Sequence, residues 1–247
     1  MEHWGLLTPE QFVIALLIVL FAFTVRGSLG FGSGLISVSL LIWFVPVTAA
    51  VPLVYLIDTV GSLLLGAYDF RHISWQEMPA LWPATVGGLV LGGIVLATLS
   101  PQHLMAILGS FVLAYVVYAV AMQPSRLPLI SRWWGAPLGF LGGFMGSLYG
   151  GGGPAIVAYL QMRHLNPRSF RASFQFIAMT DSLTRGILYW MLGFLTLPVF
   201  LTAVVLWPAV VLGLWIGHRI HVALNPRQFQ YAVLFMLAVV GLKLVIL

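Results

Sequence analysis

The sequence predicts an all-α membrane protein made of two inverted repeats, each a re-entrant helical hairpin followed by three transmembrane helices. Composition carries the first part. Of 247 residues, 61% are hydrophobic and 7% charged, whereas soluble domains carry about a quarter charged residues. Apolar stretches of about 20 residues follow one another with short polar connections, the mark of a polytopic helical chain. Internal matches carry the second part. "WPATVGGLVLG" from Trp82 and "WPAVVLGLWIG" from Trp207 agree at seven of eleven positions. At an offset of 120, Gly30, Gly32, Ile57, Ser62, Leu63 and Gly66 fall on Gly150, Gly152, Ile177, Ser182, Leu183 and Gly186. Such self-similarity marks a duplication.

In order along the chain, Phe12 to Val25 rises about 21 Å as a helix and Leu35 to Val45 less. Both fall short of a bilayer core of about 30 Å, so with "RGSLGFGSGL" between them they form a hairpin that enters and leaves on one side. Ala49 to Tyr68, Pro79 to Leu99 and His103 to Met122 are full-length segments that complete the first repeat, residues 1–122. Residues 123–135 form a cytoplasmic linker with Arg126 and Arg132. The second repeat, 136–247, opens with Pro137 to Leu148 and Pro154 to Met162 around "GSLYGGGGP". Phe170 to Leu192, Pro198 to Gly217 and Gln228 to Leu247 complete it.

Loop charge predicts the inversion. The loop at Pro46 has no Lys or Arg, while its counterpart "RHLNPRSFR" has three Arg. "DFRHISWQE" is charged and its counterpart "LGFLTLP" is not; the turn at Ser100 lacks cations while "GHRIHVALNPR" carries Arg219 and Arg227. Arg71, Arg126, Arg132, Arg163, Arg168, Arg171, Arg219 and Arg227, eight of the eleven cations, thus fall on one side. The positive-inside rule makes that side cytoplasmic and places both termini outside. It also accounts for the net charge of +5 without nucleic acid. "MEHWGLLTPE" has no basic start or small-residue cleavage site, so no removable signal peptide is expected. Trp4, Trp43, Trp75, Trp133, Trp134 and Trp190 near segment ends read as interfacial anchors.

The two glycine runs break helices at a depth where irregular backbone is tolerated only against protein or a wet cavity. Half-helices starting at Ser33-Gly34 and Gly153-Pro154 aim free N–H groups and positive dipole ends into the break, an anion-binding arrangement. The inversion brings the two tips toward each other near the midplane. Gly30, Gly32, Gly150, Gly151 and Gly152 let the backbone turn and approach a ligand closely. The glycines of "PATVGGLVLGG" and "LGFLGG" read instead as close-packing faces.

Charges within apolar segments are few, and each needs a partner or a wet cavity. Asp181 and Arg185 stand at i, i+4 in the favourable order, either as a structural pair or with Arg185 meeting a substrate anion. Asp58 has no cation on its own helix face, so Arg26 is the candidate partner; a proton-coupling role for Asp58 or Asp181 is the other reading. Arg26 is a second cation for an anion or a snorkelling arginine, and Lys243 a snorkelling lysine. Ser28, Ser33, Tyr149 and Gln175 are candidate neutral ligands. There are no cysteines, which excludes disulfides and thiolate chemistry, and the six histidines lie in loops or near ends, so no metal site or cofactor is expected.

These residues resemble the TauE/SafE group of sulfite and organosulfonate exporters over nearly the whole chain. The likeness rests on "GFGSGLISVSLLIWFVPVTAAV", "DFRHISW" and "GFLGGFMGSLYGGGGPAIVAYL…LNPRSFRAS". It departs from the family pattern in lacking a proline shortly after the first glycine run. The resemblance implies a secondary transporter of the bacterial inner membrane, not an enzyme, working by alternating access. Its partners would be a small sulfur-containing oxyanion such as sulfite, sulfoacetate or a taurine-derived sulfonate, membrane lipid, and a coupling proton or sodium ion; a homodimer is the oligomer considered. An anion channel or a carboxylate transporter of the same architecture is the alternative. An intramembrane serine protease is disfavoured, because no histidine is placed beside "GFGSG".

Overall fold

The computed structural model describes residues 6–29, 32–65, 70–121, 128–150, 152–223 and 226–246. Gly30, Gly66, Gly151, Arg126 with residues 123–127 of the expected linker, and Trp4 lie outside the described residues. Among the described residues the regular elements are helical: α1 (Pro9–Leu29), α2 (Ser33–Leu41), α3 (Val47–Leu65), α4 (Met78–Thr98), α5 (Pro101–Ala121), α6 (Gly135–Tyr149), α7 (Gly153–Met162), α8 (Pro167–Met191), α9 (Leu197–Ala223) and α10 (Pro226–Ile246). Short 3₁₀ turns stand at Phe70–His72 and Arg132–Trp134.

Among the described residues four helices, α1, α4, α5 and α9, are long and apolar enough to cross a membrane. Their outer faces expose Val13, Leu17, Leu91, Val117 and Leu212, as lipid contact allows. The chain is an all-helical, multi-pass membrane protein. α2, α6 and α7 are short at 9, 15 and 10 residues, as half-helices at the breaks require. α1 differs from expectation. It has 21 residues, about 31 Å of rise, because the helix continues through Arg26, Gly27 and Ser28 instead of ending at the charge. Arg26 remains helical because its guanidinium is paired, as described below. α3, α4 and α9 carry Pro52, Pro83 and Pro208 in their interiors, which membrane helices tolerate.

The helices form two compact units, one of residues 1–64, 99–119 and 193–247 and the other of 65–98 and 120–192. Each unit takes helices from both sequence halves. In the first, α1 packs along α9; in the second, α6 packs along α4. Glycine makes both contacts. A Cβ on Gly27 would lie 2.6 Å from the Leu214 carbonyl oxygen, one on Gly213 2.7 Å from that of Leu20, and one on Gly217 2.2 Å from that of Thr24. Along α4 and α6 the same test gives 2.0 Å from Gly88 to the Phe140 oxygen and 1.9 Å from Gly143 to the Thr85 oxygen. Helix backbones therefore touch directly, the packing that small residues permit where no hydrophobic effect joins helices in lipid.

In the second unit, Tyr159, Leu160, Ile177, Leu81, Met78 and Ile156 form a buried cluster. Glu77, only 2% exposed, pins its edge. It accepts from the Tyr159 hydroxyl at 2.5 Å and from Arg163 at 3.1 and 3.2 Å. Arg132 stands 3.5 Å away, and Arg163 also donates to the Ile130 carbonyl at 2.5 Å. One carboxylate thus fastens the start of α4 to the end of α7 and to the segment before α6.

Gly88→Ala and Gly143→Ala should each destabilise by about 1–3 kcal/mol through overpacking, while Gly87→Ala, whose Cβ would meet nothing within 4 Å, should not; thermal unfolding in detergent separates them. Glu77→Ala should cost about 3–5 kcal/mol by stranding a buried arginine. Arg132→Ala, with its side chain 53% exposed, should cost under about 1 kcal/mol.

Candidate functional site

Each unit holds a partly buried guanidinium–carboxylate pair beside its helix break. In the first unit the last turn of α1 supplies Arg26. Nη1 donates to Asp58 Oδ1 of α3 at 2.7 Å and to Ser33 Oγ at 3.1 Å, and Nη2 donates to Ser62 Oγ at 2.7 Å. Ser33, the first residue of α2, donates to the same Asp58 oxygen at 2.6 Å. The Arg26 and Asp58 side chains keep 13% and 19% of their exposure. Phe23 lies 5.8 Å from the guanidinium, and Arg26 Nε is buried without a hydrogen-bond partner. Asp58 does find Arg26, as its empty helix face predicts.

In the second unit both charges come from α8. Arg185 Nη2 donates to Asp181 Oδ2 at 2.5 Å, one helical turn earlier. Its Nη1 donates at 2.9 Å to the Gly146 carbonyl near the end of α6, where a cation suits the negative end of the helix dipole. One turn further on, the Tyr189 hydroxyl donates to the Ser147 carbonyl. Two rungs of α8 thus hold consecutive carbonyls of the hairpin arm. Arg26 and Gly146 correspond at the offset of 120. A guanidinium fills this junction in both units, rooted in the hairpin arm in one and in the following helix in the other.

The glycines divide by role. Gly32 caps α2 with φ +99°, and a Cβ there would meet nothing within 4 Å. Gly150 ends α6 with φ +68°, and its N–H donates to the Gly146 carbonyl at 2.9 Å. Gly152 packs closely: a Cβ there would lie 2.1 Å from the Gly142 oxygen, so this glycine closes the hairpin on itself. Gly153 and Pro154 begin α7. Ser28, Gly34 and Tyr149 are buried and Gln175 is half-buried on α8.

Some polar groups escaped the sequence reading. The Ser37 and Ser39 hydroxyls are buried on α2 without a partner, hidden in a nine-residue helix that otherwise reads as apolar. Tyr189 was legible only as an aromatic residue, although its i+4 spacing from Arg185 is the signal. Lys243 does more than snorkel, since its Nζ stands 3.9 Å over the Trp43 ring.

The family model described as sulfite exporter TauE/SafE matches residues 15–244. The chain belongs to this family. A relative from Comamonas testosteroni, named "Probable inner membrane transporter protein TsaS", is 23% identical over 194 residues, 78% of this chain and 81% of its own length. No solved structure matches. Membership makes the protein a membrane transporter by family.

Arg185→Ala should destabilise by about 3 kcal/mol, because it removes the cation paired with Asp181 and one of the two donors to the Gly146 carbonyl. Tyr189→Phe should cost about 1–3 kcal/mol for one unsatisfied buried carbonyl. Arg185→Lys should restore part of the loss, since an ammonium lacks the fork that serves two partners. Unfolding midpoints of the three variants check the order.

Proposed function

We propose that this TauE/SafE-family protein is an inner-membrane secondary transporter that exports a small sulfur-containing oxyanion, an organosulfonate or sulfite, by alternating access. The observation that carries the reading is the Arg26–Ser33 contact. It sets a forked guanidinium and a hydroxyl at the N-terminal end of α2, whose cap residue, Gly32, adds no side-chain hydrogen bond. The N–H groups of a helix start, a positive dipole end and a guanidinium together favour a compact anion. A sulfonate offers three acceptor oxygens arranged tetrahedrally, which suits donors converging from a helix end and a side chain. A planar carboxylate presents two.

The name of the Comamonas relative supports the inner membrane as the location, and the opposite charges of corresponding loops support inverted halves with both termini outside. Arg26, Ser28, Gly32, Ser33 and Gly34 are the binding residues we assign in the first unit, and Tyr149, Gly150, Gly153, Gln175, Asp181 and Arg185 their counterparts in the second.

Isethionate and 3-hydroxypropionate differ only in the sulfonate and carboxylate heads. Isethionate should raise the melting temperature of the purified protein more, and Arg26→Lys should weaken its apparent affinity on the order of tenfold. Flux of isethionate into proteoliposomes should saturate, whereas an ohmic current would mark a channel. Stabilisation by 3-hydroxypropionate with no response to isethionate or sulfite would replace the sulfur oxyanion with a carboxylate.

A further inference from the structure

The two charge pairs differ in what they connect. Asp181 and Arg185 ride on one helix, so any movement of α8 carries both together and leaves the pair intact. Asp58 joins three elements: its Oδ1 takes Arg26 of α1 and Ser33 of α2, while Asp58 itself belongs to α3. Breaking this pair changes how the short helix is held. The first residue of α2 is bound to Asp58, and the cap before it, Gly32, has open space around it and a glycine-specific φ of +99°. The start of α2 is therefore latched at one carboxylate next to a position that permits movement.

We propose that Asp58 is the resident counter-ion of Arg26 and the coupling-proton acceptor of the transport cycle. Resting on the anion-transport reading above, the step runs as follows. A proton from water binds the Asp58 carboxylate, forming an O–H bond and cancelling its charge. Arg26 keeps all its protons and loses its charged partner. The guanidinium and the start of α2 then accept the substrate anion in place of the carboxylate. The cluster is neutral before the exchange and neutral after it, so one proton accompanies each monovalent anion. Without the proton, an incoming anion would stand beside a second negative charge in a partly buried site, which is costly.

Other charges near the pair do not replace Asp58. Among the described residues α2 has no ionisable side chain, and α3 has the Asp58 carboxylate and, one turn earlier, the phenol of Tyr55, so Asp58 is its one carboxylate. On α9, Gly217 packs on Gly27, and the neighbouring His218 and Arg219 are exposed, Arg219 lying 5.0 Å from the Trp215 ring. On α10, Lys243 is seated on Trp43.

The test uses the full-length protein in nanodiscs with two readouts. Asp58→Asn imitates the protonated acid. Amide hydrogen exchange at the start of α2, at one pH, should quicken on the order of tenfold in Asp58→Asn. Isethionate is used as the probe because its sulfonate stays ionised throughout. Wild type should bind it more tightly at about pH 5.5 than at about pH 8, because a larger share of the protein is competent. Asp58→Asn should bind at least as tightly as wild type does at the lower pH, and equally at both pH values. Unchanged exchange in Asp58→Asn overturns the proposal, as does loss of isethionate binding in that variant while wild type binds. A pH-independent wild-type affinity also overturns it and needs no variant to fold. Faster exchange with no anion bound by either protein supports the latch and overturns the substrate reading instead.

Discussion

A guanidinium inside a membrane protein must be paired, and both units settle that requirement at the same place, the junction between a hairpin arm and the helix that follows the hairpin. The hairpin cannot be held by hydrophobic burial, because lipid competes for apolar surface as well as protein does. Charge-assisted hydrogen bonds have no such competitor. Arg26 ties α1 to α2 and α3 through Ser33, Asp58 and Ser62, and Arg185 with Tyr189 ties α8 to two carbonyls of α6. The breaks that make a binding surface conceivable are stable because these arginines bridge them.

The same junction is built by two opposite routes. At position 26 the arm carries the side chain and the following helix supplies acceptors. At the corresponding position 146 the arm carries only glycine and the following helix sends the arginine back. The interaction is thus retained while the residue supplying it differs. That arrangement also explains why α1 is longer than its apolar stretch. A paired arginine is compatible with helix, so the helix runs on to Leu29, and the interruption shrinks to the few residues before Ser33.

What the sequence revealed follows from what is local. The starts of α2 and α7 were legible because glycine and proline punctuate the backbone wherever they stand. The Asp181–Arg185 pair was legible because i, i+4 spacing fixes proximity on a helix. The pairing of Asp58 with Arg26 could be inferred by elimination, since so few cations lie in apolar segments. The association of α1 with α9 and α4 with α6 was not legible. Glycine stripes announce that a helix face packs closely but carry no address for the partner. Glu77 was hidden for a related reason, because its partners Tyr159 and Arg163 are more than 80 residues away in sequence.

Gly32 and Gly152 show why equivalent positions need not share a duty. They align at the offset of 120, and both stand immediately before a half-helix. Yet a side chain at Gly152 would enter the Gly142 carbonyl, whereas one at Gly32 would meet nothing within 4 Å and be opposed only by φ. The second hairpin is closed on itself by backbone contact and braced by a pair that moves as one body with α8. The first is held by side chains from three helices around an open cap. Of two similar breaks, the one whose ion pair crosses between elements is the one in which a change of charge can become a change of position.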